Sequence, residues 1–171
     1  MGPKELFVLL AVVFVPMLFE ARRAAANERR QLSNGGVEAP GDVYRIMQVA
    51  YPGAFLFMIG EGALRGGPPR EVVIAGAIVF ALAKALKWWA ITTLGSAWTF
   101  RVITIPGSTL VASGPYVYFR HPNYIAVVGE LVGTALAAGA IVAGPLATAM
   151  FGALMLKRIT VEDRALGRGD P

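Results

Sequence analysis

The chain has 171 residues, 56% hydrophobic and only 16% charged, against the quarter or so usual for soluble domains, so the composition is that of a membrane protein. It contains no cysteine, which excludes disulfide scaffolds, thiolate zinc sites, iron–sulfur clusters and cysteine nucleophiles. The net charge of +5 comes from basic residues set beside apolar spans and not gathered in one stripe, so membrane lipids with anionic headgroups are the expected partner and nucleic acid is not.

Five apolar stretches can be read in chain order, each with its own start or stop signals. The first, Leu6 to Phe19, continues through the strong helix formers of "EARRAAANERRQL" into water until Ser33-Asn34-Gly35-Gly36 breaks it. Its arginines follow the apolar run instead of preceding it, so an anchor is expected and not a cleaved leader. The second begins after Asp42, a good N-cap, and runs from Val43 to about Leu64 with a kink expected at Pro52-Gly53. Gly66-Gly67-Pro68-Pro69 ends it, and the third spans Arg70 to Leu94 before Gly95. The fourth opens at Pro122 and reaches about Ala143, where Gly144-Pro145 is expected to turn tightly into the fifth, which runs to Leu166 with Gly167 as its stop. No internal repeat or low-complexity linker interrupts the chain, so residues 1–171 read as a single domain.

Lys and Arg fix the expected orientation, because cytoplasmic flanks retain positive charge. With the N-terminus outside, one side collects Arg22, Arg23, Arg29, Arg30, Arg45, Lys84, Lys87, Arg101, Arg120, Lys157, Arg158, Arg164 and Arg168, while the other keeps Lys4, Arg65 and Arg70. That arrangement implies five crossings with the C-terminus in the cytoplasm. Between the third and fourth spans, "RVITI-PGS-TLVAS" alternates β-branched and small residues around a Pro-Gly turn and reads as a short hairpin or a folded-over extended loop. Such a loop at membrane depth must be covered by protein, so it forms the wall of a site.

Three groups of residues have the chemistry for such a site. "GPYVYFRHPNY" gathers two prolines, aromatic residues, Arg120 and the chain's one histidine, His121, where the fourth helix begins. Free N–H groups at a helix start attract anions and acceptors, and the tyrosines flank a flat ring; an aromatic belt with an Arg–His pair facing headgroups is the plainer reading. In "KRITVEDRAL", Arg158 and Glu162 are four apart on one helical face, which taken alone describes an ordinary exposed ion pair. Glu130 lies eight residues into the fourth helix, roughly 12 Å, and Lys84 ten residues before the end of the third, roughly 15 Å. Their matched depths imply that they pair or share a polar cavity. The competing picture has Lys84 snorkelling beside Lys87, Trp88 and Trp89, with Glu130 protonated.

"STLVASGPYVYFRHPNY" followed by "RITVEDRAL" resembles the isoprenylcysteine carboxyl methyltransferase family, integral-membrane enzymes that use S-adenosyl-L-methionine. "RHPNYIAVVGE" and "RITVEDRAL" are most similar to its small bacterial branch, which includes alkylpyrone O-methyltransferases. The resemblance covers about Leu94 to Leu166 and implies an integral-membrane enzyme; with the five spans read above, the expected fold is an all-α integral membrane protein of five transmembrane helices, with a cytoplasmic cofactor loop between the third and fourth. It implies that Ser108, Thr109, Leu110 and Val111 line the cofactor with Tyr116, that His121, Pro122, Asn123 and Tyr124 hold it, and that Glu162 is its acidic contact. Arg158 matches the arginine associated with substrate and catalysis, and Arg120 and Glu130 are the further candidates near the acceptor. Where eukaryotic prenylcysteine enzymes carry a glutamine before the loop, this chain has Arg101, a departure that bears on a prenylated substrate.

The expected activity is therefore methyl transfer to a carboxylate or enol oxygen of a lipophilic substrate reached from the bilayer. An acceptor already ionised needs no strong base, whereas a neutral hydroxyl needs one, with Glu130 or His121 as the candidates. Membrane sterol and steroid reductases, which use NADPH, share the "RHPNY" block but lack the "RITVEDRAL" ending. A non-enzymatic transporter or scaffold accounts for the Gly- and Ala-rich spans but not for polar residues concentrated on one face.

Overall fold

The computed structural model describes residues 1–167, and Arg168, counted above toward the orientation, lies outside them. The described residues form α1 (Pro3–Ser33), β1 (Val37–Glu38), α2 (Tyr44–Arg65), α3 (Arg70–Leu94), β2 (Ile103–Thr104), α4 (Pro122–Ala138) and α5 (Ala143–Ala165), with 3-10 turns at Gly95–Ala97 and Gly114–Val117. The fold is thus all-α apart from one two-residue strand pair. Pro69 and Gly95 bound α3 at the predicted residues, because proline suits a helix entrance and glycine its exit.

One helix among the described residues, α3 with its extension to Ala97, is long and apolar enough by itself to cross a membrane; α4 is apolar but shorter. The expectation of five such helices is not met by composition alone. Polar side chains interrupt the other apolar faces, and several of them, Glu20, Tyr51 and Arg158 among them, are buried or line an internal cavity.

The ends of α4 and α5 differ from the sequence reading. Helix α4 stops at Ala138 because Gly139 turns left-handed, with φ of 71°. The connection is Gly139–Val142, so Gly144-Pro145 sits inside the first turn of α5 and not between helices. Glu61 of α2 starts α5: its carboxylate accepts the N–H groups of Val142 at 3.2 Å and Ala143 at 2.6 Å. Pro145, which has no N–H, fits a first helical turn. Asp42 accepts the Tyr44 N–H at 3.1 Å, but the N-cap itself is Val43.

Helices α3 and α4 make the closest seam of the bundle. A Cβ on Gly76 would strike the α4 backbone at Ala137, and one on Gly133 would strike α3 at Phe80. Small residues therefore let the two backbones touch, the usual solution where lipid offers no hydrophobic drive between helices. The apolar core fills the space between the helices, with Phe55, Met58, Ile59 and Leu131 almost wholly buried. The segment after α3 does not fold back on itself as a hairpin. It pairs with the α1–α2 connection instead, Val37 opposite Thr104 and Glu38 opposite Ile103.

Candidate functional site

The polar face of α1 holds the root of the loop that follows α3. Asn27 donates to the carbonyls of Gly95 at 3.0 Å and Trp98 at 2.7 Å, and Gln31 donates to Ser96 at 3.0 Å. Glu28 accepts the N–H groups of Phe100 and Arg101 at 3.1 and 3.2 Å. Asp42 accepts the Val102 N–H at 2.8 Å. Each bond satisfies backbone that lipid would leave bare, so the loop can extend from Ile105 through Val111 over the interior.

Beneath it lies a cavity of about 630 Å³, within the range of small-molecule sites. Ser108, Thr109, Leu110, Val111, Tyr116, Arg120, His121, Pro122, Asn123, Tyr124, Arg158 and Glu162 all line it. Two segments nearly forty residues apart in sequence meet there through Tyr124, whose hydroxyl donates to Glu162 at 2.7 Å and accepts from Arg158 Nε at 2.9 Å. The His121 ring lies between two acids, Nδ1 3.9 Å from Glu162 and Nε2 3.2 Å from Asp163. His121 Nε2 and Asp163 Oδ1 are buried yet make no properly directed hydrogen bond within the protein. Arg120, 60% exposed at its side chain, reaches Asp163 at 4.0 Å. Burial, with the charge of Glu162 adding to it, raises the Tyr116 phenol well above its ordinary value, so Tyr116 is a neutral hydrogen-bonding group.

Away from the loop the lining turns apolar, with Phe14 and Met17 of α1, Met47 of α2, and Phe151 and Met155 of α5. The cavity therefore joins a polar end, with acids, an imidazole and hydroxyls, to an apolar arm. The polar end has the donor set for a nucleoside-like molecule carrying an ammonium: carboxylates for the cation, aromatic rings for a flat base, and buried polar atoms with capacity to spare.

Arg158 is less free than the sequence implies. Its Nε is taken by Tyr124, Nη1 donates to Asp42 at 2.8 Å, and Nη2 donates to the Phe100 carbonyl. A side-on bidentate grip on a carboxylate, which needs the Nε–H, is closed. Nor do Arg158 and Glu162 form the direct pair their spacing permits, since Tyr124 stands between them.

Glu130 does not line the cavity. Lys84 lies 3.1 Å from it, as the matched depths predict, but the cluster is larger than a pair. Lys84 and Lys87 each contact both Glu20, at 2.7 and 2.8 Å, and Glu130, at 3.1 and 3.2 Å. Tyr51 donates a further bond to Glu130 at 2.5 Å. With its carboxylate enclosed in this square, Glu130 is not available as an acceptor contact or a base, and Lys84 does not snorkel: its ammonium sits between Glu20 and Glu130, with the side chain 12% exposed. Sequence reasoning missed Glu20, Lys87, Asp42 and Asp163. Only Asp163 carried a local signal, as the second acid of "VED".

Fold and site together define a helical bundle with an internal chamber, polar toward its loop and apolar away from it. The isoprenylcysteine carboxyl methyltransferase (ICMT) family matches residues 75–168, and the chain belongs to this family of integral-membrane methyltransferases. Such methyltransferases generally use S-adenosylmethionine. The chain is also 29% identical over 160 residues to the uncharacterized protein YpbQ of Bacillus subtilis (strain 168), covering 94% of this chain and 95% of that one. No solved structure matches it.

Proposed function

We propose that the protein transfers a methyl group from S-adenosyl-L-methionine to a carboxylate or enol oxygen of a lipophilic acceptor that enters sideways from the bilayer. The observation that carries this reading is the convergence of the His121–Tyr124 block and the Arg158–Glu162 turn on one cavity with an apolar arm. The bound cofactor would supply a methyl group on a sulfonium cation. Ser108–Val111, Tyr116 and His121–Tyr124 would surround it, and Glu162 would accept hydrogen bonds from its ammonium or ribose.

Reaction of a sulfonium with an oxyanion cancels charge, so water, which stabilises the separated ions, slows it and a dry chamber favours it. The chain's contribution is then to position the two reactants in line and exclude solvent. Arg158, with a partner at each of its three nitrogens, would orient the acceptor oxygen through the one N–H left on each Nη. In this reading all five helices cross a bacterial cell membrane as one domain, with the N-terminus outside and the chamber opening toward the cytoplasm.

Thermal shift of the purified full-length protein with S-adenosylhomocysteine and with NADPH tests the cofactor class. Stabilisation by S-adenosylhomocysteine is expected, and stabilisation by NADPH alone would replace the reading with a reductase. Incubating membranes with radiolabelled S-adenosylmethionine and a lipid extract then identifies the acceptor from the labelled product.

A further inference from the structure

Asp42 lies outside the family-matched residues, in the connection between α1 and α2, yet its carboxylate is spent on three other parts of the molecule. Oδ1 accepts from Arg158 Nη1 at 2.8 Å and from the Tyr44 N–H at 3.1 Å, and Oδ2 accepts the Val102 N–H at 2.8 Å. The side chain is 2% exposed, and that of Arg158 is 9% exposed. Such a pair is retained only when hydrogen bonds occupy both partners, and breaking it on one side leaves the other charge buried.

The bonds continue past Arg158. Its Nε donates to the Tyr124 hydroxyl at 2.9 Å, and that hydroxyl donates to Glu162 at 2.7 Å. With Arg158 donating to the Tyr124 oxygen, the phenol O–H is left to donate to Glu162 Oε2, which ties one carboxylate oxygen of Glu162 in place. Asp42, Arg158, Tyr124 and Glu162 thus form one line of charge-assisted hydrogen bonds, in which each group fixes the direction of the next. It starts in the α1–α2 connection and ends at the acidic side chain in the polar part of the chamber.

We propose that Asp42 is a positioning residue for the cofactor end of the site: it fixes Arg158, and through Arg158 and the Tyr124 hydroxyl it orients Glu162. This rests on the methyltransferase reading, because Glu162 matters in it as the cofactor's acidic contact. The N-terminal third of the chain then completes a site whose sequence motifs all lie in the C-terminal two thirds.

A double-mutant cycle on the full-length protein in detergent, read as S-adenosylhomocysteine affinity by calorimetry, tests the line. Asp42→Asn and Tyr124→Phe are each expected to weaken binding about tenfold, and the double variant also about tenfold, because both cut the same chain of bonds. Losses that multiply to about a hundredfold, or an Asp42→Asn variant that binds like the wild type, overturn the proposal while leaving the methyltransferase reading in place. Failure of the wild type to bind S-adenosylhomocysteine overturns both. Asp42→Glu, which keeps the carboxylate, is expected to bind within about threefold of wild type, whereas a packing role would make this larger residue the worse substitution. Should Asp42→Asn not fold, Asp42→Ser, which still accepts a backbone N–H but leaves Arg158 without a carboxylate, takes its place in the cycle: a loss no greater with Tyr124→Phe than alone supports the line, and multiplied losses contradict it.

Discussion

The cluster around His121 is part-buried and the square of Glu20, Lys84, Lys87 and Glu130 almost wholly enclosed; both are charged, yet they are completed differently. In the square every carboxylate touches both ammonium groups and every ammonium touches both carboxylates. Its formal charges cancel, and of its four members Lys87 alone lines the cavity. Buried atoms without a directed hydrogen bond occur in both, Glu20 Oε2 and Glu130 Oε1 in the square and His121 Nε2 and Asp163 Oδ1 in the other cluster, but Arg120, His121 and Glu162 all line the cavity. Burial of charge is therefore not itself the mark of a binding site. The mark is polarity that opens onto a cavity.

The sharpest test of this contrast is removal of one corner of the square. Glu20→Ala leaves the ammonium groups in excess and is expected to cost about 3–5 kcal/mol in unfolding measured in detergent, while replacing all four members by apolar residues of similar volume costs far less. A Glu20→Ala protein as stable as wild type would mean that the square is not a closed unit. Next in size is Glu162→Ala, expected to weaken S-adenosylhomocysteine binding by about 1.5–3 kcal/mol with little change in unfolding temperature. Unchanged cofactor affinity in that variant would remove the main argument for a ligand at the His121 end. The smallest effect belongs to Glu38→Gln: Glu38 pairs with Arg101 at 3.0 Å where both side chains are about two-fifths exposed. A stability change below about 1 kcal/mol is expected there, since solvent screens such pairs, and a larger one would show that exposed charge matters as much as buried charge in this protein.

Much of this was readable in the residues. Pro69 and Gly95 gave the limits of α3 because helix punctuation is local, and Lys84 could be matched to Glu130 because rise per residue converts position into depth. Glu20 was read as part of a segment heading into water, since its neighbours Arg22 and Arg23 dominate that stretch; its partners lie more than sixty residues away. The start of α5 was misplaced for the same kind of reason: Glu61, eighty-one residues from Val142, supplies the cap. At the site, the residues that the family resemblance carried over fell on one cavity, whereas Glu130, singled out by its depth in the fourth helix, does not line it. The loop's support by Asn27, Glu28 and Gln31 and the restraint of Arg158 by Asp42 depend on contacts between distant segments, which no local pattern encodes.

The square also bears on how the chain is put into the bilayer as it leaves the ribosome. Glu20 arrives first as a lone acid, and the two lysines of α3 then overshoot it. Balance comes only when residue 130 of 171 has been delivered. Until the fourth helix is in place the charges of the square do not cancel, and an uncompensated charge within a bilayer is costly.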